Sequence, residues 1–169
     1  MSNIYEQLSE ERKKLQLEDL VPKWYTTGGW QLFKTKYLFG TDRAVRGQFE
    51  RIAKSAAAYL PPSIRTEAEE NFFKLLWEGI LSPATPVLSN MGTDRGYPVS
   101  CQGSYFADEI YGIYDTKKEI AMHTKKGFGT SGYLGDIRPR GTPISVGGKA
   151  EGVVPVWEGI IKDMTYVSQ

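Results

Sequence analysis

The stretch from Leu81 to Gly103, LSPATPVLSNMGTDRGYPVSCQG, constrains the chain more than any other. Pro83, Pro86, Gly92, Gly96 and Pro98 punctuate it. Proline lacks an N–H donor and pushes the residue before it toward extended backbone, so a helix arriving from upstream must stop near Leu81. Extended chain is expected beyond it, with short apolar pieces at 86–88 and 99–106. The chain's only cysteine, Cys101, opens the second piece. A lone thiol there is either a small buried hydrophobe or a reactive group on a half-buried strand, and spacing does not choose between them.

On the near side of this stretch the pattern is helical. Residues 3–20 read as a helix capped by Asn3, with Ile4, Leu8 and Leu15 on one stripe. Pro22 and the Gly28-Gly29 pair predict a loop over 21–29, anchored by Trp24, Trp30 and Phe33. A second helix is expected from Thr41-Asp42 to about Tyr59, with Val45, Phe49, Ile52, Ala53, Ala56 and Ala57 facing inward. A third, capped by Ser63 or Thr66, reaches Ile80 with Phe72, Leu75, Leu76 and Ile80 as its buried face. Glu67, Glu69 and Glu70 lie in its early turns, where the helix dipole favours them without any site.

On the far side the composition changes. Twelve of the eighteen glycines fall between Gly92 and Gly152, so a domain boundary is expected at about residue 82. A strand over 99–106 leads to a helix over 110–126, with Asp108 read as its cap. A long glycine-rich loop is expected over 127–148, followed by a helix led by Pro155. Gly127-Phe128-Gly129-Thr130-Ser131-Gly132 matches G-x-G-x-x-G, but no apolar strand precedes it and YLGDIRPRG cannot open a helix. The dinucleotide reading is therefore rejected. Lys125, Lys126, Arg138 and Arg140 flank these glycines, which fits either a polyphosphate-binding loop or a solvated surface loop.

The net charge of +1 gives no general attraction to nucleic acid or membrane. No run of about 18 apolar residues exists, and the polar start has no signal-peptide core, so a soluble cytoplasmic protein is expected. One cysteine excludes an internal disulfide, and one histidine, His123, leaves too few ligands for zinc. No metal site is expected, and His123 is given no role beyond a surface or interface position.

LSPATPVLSN, GYPVSCQGSY, HTKKGFGTSGYLGDIRPRGTPIS and GVVPV, in that order, resemble the large subunit of class I ribonucleotide reductase over roughly residues 20–169. The resemblance implies an α+β chain. Residues 1–81 would be a helical N-terminal domain, and residues 82–169 the opening strand–helix units of the family's ten-stranded α/β barrel. It implies that Cys101 is one thiol of a redox pair that reduces the ribose 2′ position. Thr85, Ser100 and Cys101 would line the nucleoside diphosphate substrate. Asp108, Glu109, Ile110 and Arg138 would bind a dNTP or ATP effector at the specificity site, and the helices over 110–126 and 155–167 would build a homodimer. The segment itself holds no cofactor.

The implied partners are the remainder of the large subunit, with the radical cysteine and the second redox cysteine, and a small subunit that carries the metal-radical cofactor. A thioredoxin- or glutaredoxin-type reductant is a third. No cone domain precedes the helical region, so no overall-activity site is expected, and the chain stops at Ser168-Gln169 inside the expected second coupling loop. Alone it is expected to be inactive, and poorly soluble or partly disordered after about residue 90. The alternative is a non-catalytic nucleotide-binding or assembly module of the same family.

Overall fold

The computed structural model describes residues 3–40 and 42–167. The expected Thr41 helix start and the Ser168-Gln169 loop lie outside the described residues. The chain divides into two compact units, Met1–Pro98 and Val99–Gln169.

The first unit is helical. Helix α1, Ile4–Leu17, begins with a full capping box: Asn3 Oδ1 accepts from the Tyr5 N–H at 3.2 Å, and the Asn3 N–H donates to Glu6 at 3.2 Å. Leu8 and Leu15 pack on the core as the stripe predicts, whereas Ile4 is exposed. Gly28 and Gly29 do not break the chain. They lie inside α2, Thr27–Leu32, because the Thr26 hydroxyl caps it by accepting from the Gly29 N–H at 3.0 Å. A π-helical turn, Phe33–Tyr37, continues directly from α2. Trp30 and Phe33 are buried anchors, but Trp24 is half exposed and donates its indole N–H to the Trp77 carbonyl at 2.7 Å.

Helix α3, Val45–Ala57, buries Val45, Phe49, Ile52, Ala53 and Ala57, one stripe at helical spacing. Helix α4, Arg65–Trp77, follows a 3₁₀ turn at Pro62–Ile64 and has no side-chain cap, so neither Ser63 nor Thr66 serves. It ends before Ile80 because Gly79 takes φ +74° and the Ile80 and Leu81 N–H groups turn back to the Leu75 carbonyl. Ile80 is thereby exposed; Leu76 is buried, and Phe73 and Trp77 pack against the core in its place.

The proline-rich stretch holds a helix of its own, α5, Thr85–Asn90. Pro86 sits in its first turn, where a missing N–H costs nothing. Gln48 of α3 donates to the Leu88 carbonyl at 2.9 Å, and Arg51 donates to the Met91 carbonyl. These bonds keep α5 with the helical unit, so the units part at Pro98–Val99 and not at residue 82.

The second unit is a strand–helix–strand element followed by a helix. Strand β1, Cys101–Tyr105, pairs in parallel with β2, Gly129–Tyr133, in the register Cys101↔Gly129 to Tyr105↔Tyr133. Helix α6, Ile110–Lys125, makes the crossover a parallel pair requires. The expected long loop is thus partly a strand. Its glycines are tolerated because every residue from Gly129 to Tyr133 finds a partner on β1, which local pattern could not reveal. Helix α7, Val153–Val167, packs on α6 around buried Ile120 and Ile160, and Lys117 joins Asp163 at 3.2 Å.

Candidate functional site

The predicted site residues fall into three places. Thr85 is the first residue of α5, exposed, with its hydroxyl 3.2 Å from that of Tyr37. It belongs to the first unit, and Ser100 and Cys101 to the second.

Cys101 opens β1 and is exposed among the described residues. Strand alternation puts Cys101, Gly103 and Tyr105 on one face of the sheet. The other face carries Ser104, buried and donating to Glu119 of α6 at 2.6 Å. The Ser100 hydroxyl stands 3.8 Å from the Cys101 sulfur, and the Ser100 carbonyl accepts from the Gly129 N–H at 2.8 Å. A Cβ at Gly129 would lie 3.6 Å from that sulfur, so the glycine leaves the thiol's flank open. Tyr105 and Tyr133 stack at 6.1 Å on the same face, and the Tyr105 O–H donates to Asp136 at 2.7 Å. That bond, with a smaller contribution from burial, raises the Tyr105 phenol above its ordinary range.

The third place is a cleft of about 470 Å³ where β1 and β2 run out. Asp108, Glu109, Ile110, Ile137, Arg138 and Val156 are among its lining residues. Asp108 is not the cap of α6. It receives the Arg138 backbone N–H at 3.1 Å and Nε at 2.7 Å, while Arg138 Nη2 reaches the Asp108 carbonyl at 3.0 Å. The backbone N–H of Arg138 is the main influence holding the Asp108 carboxyl below the usual carboxylate range; burial opposes it, and the Arg138 guanidinium adds to the lowering.

The cap is Glu109, whose carboxylate accepts from the Tyr111 N–H at 3.1 Å and from Gly112. A side chain at Gly112 would put its Cβ 2.8 Å from that carboxylate, which explains a glycine in the first turn of a helix. Ile110 is exposed at the cleft's edge.

The cations flanking the glycine motif do not converge. Lys125 and Lys126 stand at the far end of α6 from Asp108, roughly 24 Å along a 16-residue helix. Arg138 is paired with Asp108, and Arg140 with Glu151 at 3.2 Å. His123 is half-buried, its ring 5.3 Å from that of Phe128 and its Nδ1 without a hydrogen-bond partner among the described residues. Sequence reasoning missed Ile137 and Val156 as cleft residues and Tyr37 as the partner of Thr85. Each is an apolar-pattern residue whose role depends on a long-range contact.

Comparison with known proteins agrees with this division. Residues 23–96 match the family described as ribonucleotide reductase, all-alpha domain, and residues 99–169 match ribonucleotide reductase, barrel domain. The Caenorhabditis elegans ribonucleoside-diphosphate reductase large subunit is 27% identical over 147 residues, which is 86% of this chain and 18% of that protein. The Saccharomyces cerevisiae ribonucleoside-diphosphate reductase large chain 2 is 28% identical over 147 residues, 86% of this chain and 17% of its own length. Among solved structures, the Actinobacillus ureae class Id ribonucleotide reductase alpha subunit superposes with a TM-score of 0.73 at 30% identity. The match covers 87% of this chain and 27% of that one. The chain belongs to the ribonucleotide reductase large-subunit family, with the helical domain followed by the opening of the barrel. It spans about a fifth of the length of the curated relatives it matches. Among the described residues no helix is long and apolar enough to cross a membrane.

Proposed function

We propose that this chain is the N-terminal part of the large subunit of a ribonucleoside-diphosphate reductase. Together with the remainder of that subunit it reduces ribonucleotides to deoxyribonucleotides for DNA synthesis in the cytoplasm. The observation that carries the reading is the exposed thiol of Cys101 at the head of a parallel strand, in a chain of this family.

Cys101 and a second cysteine from the remainder of the subunit form the redox pair. The two thiols give two electrons and two protons: the C2′–O bond breaks, the hydroxyl leaves as water, a C2′–H bond forms, and a disulfide results. A thioredoxin- or glutaredoxin-type dithiol then reduces that disulfide by exchange. A radical cysteine in the remainder of the subunit starts the chemistry, and a separate small subunit carries the metal-radical cofactor that generates it. Thr85 and Ser100 donate hydroxyl hydrogen bonds to the substrate diphosphate.

The cleft at Asp108 takes a dNTP or ATP effector. Asp108 accepts from a ribose hydroxyl, Arg138 leaves Asp108 to bind phosphate, and Glu109 and Ile110 form the wall at the start of α6. The outward aromatic residues of α6 and α7, Tyr111, Tyr114, Trp157 and Tyr166, are the surface for a second large subunit. No nucleic acid or membrane takes part.

The test is Cys101→Ser in the assembled enzyme. Dithiol-dependent turnover is expected to disappear with effector binding retained, and unchanged turnover would remove the redox assignment. A second reading, a nucleotide-binding assembly module without catalysis, is favoured by one observation. The cleft lies within Val99–Gln169, whereas the thiol has no second cysteine on this chain. Triphosphate binding without complementation of reductase activity would select it.

A further inference from the structure

We infer that Tyr37 is a positioning residue for Thr85, holding the threonine hydroxyl as an outward hydrogen-bond donor to the diphosphate of a ribonucleoside diphosphate. The inference rests on the proposed substrate role of Thr85.

Tyr37 closes the π-helical turn Phe33–Tyr37, in which the Leu38 N–H reaches back to the Phe33 carbonyl at 2.9 Å. Such turns are rare and occur often at functional sites. The tyrosine is 8% exposed, its ring part of the core that includes Phe33, Val45 and Phe49. A buried phenol needs a partner for its polar tip. That partner is Thr85 Oγ1, at 3.2 Å and 48 residues away in sequence. Phenylalanine would fill the same core, so the hydroxyl is what requires explanation.

Thr85 is exposed where Tyr37 is buried. A hydroxyl carries one hydrogen and two acceptor lone pairs, whereas diphosphate oxygens only accept. If the Tyr37 O–H donates outward to Thr85 Oγ1, the Thr85 hydrogen is left for an acceptor outside. The opposite polarity would use that hydrogen on Tyr37 and turn an oxygen lone pair toward the phosphate, which repels it. With Tyr37 as the donor, the pair presents the one polarity that binds an anion.

Helix α5 does not depend on this bond for its place. Gln48 holds the Leu88 carbonyl at 2.9 Å and Arg51 the Met91 carbonyl. Removing the phenol oxygen therefore separates orientation from folding.

The experiment uses the assembled reductase containing this chain, with a ribonucleoside diphosphate as the varied substrate. Tyr37→Phe is expected to raise KM about five- to tenfold, the loss of one neutral hydrogen bond, with kcat and the melting temperature of the helical unit nearly unchanged. Thr85→Ala is expected to raise KM at least as much, and the double variant no further than Thr85→Ala alone. Thr85→Ser, which keeps the hydroxyl, restores KM toward the parent value. A melting-temperature loss without a KM change in Tyr37→Phe, or KM effects that multiply in the double variant, would overturn the positioning role. If Thr85→Ala leaves KM unchanged, the substrate reading of Thr85 fails and this inference falls with it. If Thr85→Ala raises KM and Tyr37→Phe does not, only the inference about Tyr37 fails.

Discussion

Removing the carboxylate of Asp42 should destabilise the helical unit strongly, because it leaves a buried charge unpaired. Asp42 and Arg51 form an ion pair at 2.8 Å, their side chains 2% and 11% exposed. Arg51 Nε also approaches both Asp42 oxygens, at 3.2 and 3.3 Å, and its remaining donors reach the Leu88 and Met91 carbonyls of α5. The Phe39 ring covers the guanidinium at 5.6 Å. Asp42→Ala would leave a guanidinium in a nearly closed site with only backbone carbonyls to compensate it. Breaking a buried pair from one side costs about 3–5 kcal/mol, and the two carbonyls favour the low end, about 3 kcal/mol. For a unit of about 100 residues that is a fall of roughly 12–24 °C in Tm. The assay is guanidinium and thermal unfolding followed by fluorescence of Trp24, Trp30 and Trp77, in a Trp157→Phe background. Replacing both partners, Asp42→Ala with Arg51→Met, should cost less than the single change, because no uncompensated charge remains. A loss below about 1 kcal/mol, the value for an exposed pair such as Arg140–Glu151, would refute the reasoning.

Gly92 takes φ +74°, and a Cβ there would collide with the Ser55 hydroxyl and lie 2.9 Å from Arg51 Cγ. Gly92→Ala should therefore destabilise the helical unit by about 1–3 kcal/mol in the same unfolding assay, and a neutral result would reject the strain argument. Burial, with a smaller repulsion from Tyr37, pushes the Tyr25 phenol up to about 12. A raised folded value means stability that is intact below about pH 10 and is lost as pH rises through about 12, on the order of 2–3 kcal/mol. Tyr25→Phe should flatten that alkaline limb, measured by unfolding between pH 9 and 12. Asp108 has the opposite sign: its carboxyl is held low, so the clamp on Arg138 is present above the ordinary aspartate range and is lost only as pH falls below it. Arg138→Gln should move the Asp108 titration upward, followed by carboxyl ¹³C NMR, but not abolish the shift, because the backbone N–H of residue 138 remains. An unmoved titration would show that the guanidinium contributes nothing.

The helical half was legible because its information is local. Asn3 followed by Glu6 is a cap that any helix start of that kind would use, and the stripe from Val45 to Ala57 could face only one way. What failed there also has a local form. Pro86 was read as a breaker, yet proline is as good a helix beginning as it is a poor interior, and nothing nearby distinguishes the two. The glycine-rich half was less legible because its structure is a pairing. GTSGY has little strand propensity by itself; it becomes β2 because CQGSY lies beside it with α6 across both. The ordered motifs point to Cys101, Asp108, Glu109, Ile110 and Arg138, but not to Ile137 and Val156 beside them in the cleft. The Asp108–Arg138 clamp, whose partners are 30 positions apart, and the Tyr37–Thr85 contact could be seen only in three dimensions.

The parallel pair also fixes where the two proposed sites of the second unit stand. Cys101 is at the start of β1, and Asp108 and Arg138 follow the ends of β1 and β2. Five strand residues extend about 13 Å, so thiol and cleft lie at opposite ends of one short element. No side chain can serve both. Within this chain, the strand, its partner strand and the loops that follow them are what join the cleft to Cys101. Arg138 is suited to that task in a particular way: besides the Asp108 carboxylate it grips the Asp108 backbone carbonyl, two residues past Phe106, whose own N–H bonds the Tyr133 carbonyl. An anion that draws the Arg138 guanidinium away therefore releases the Asp108 backbone carbonyl at the end of β1 and one of the two bonds to its carboxylate, the backbone N–H of residue 138 keeping the other. In the proposed function, that shared backbone contact is the physical link by which occupancy of the cleft reaches the strand carrying the thiol.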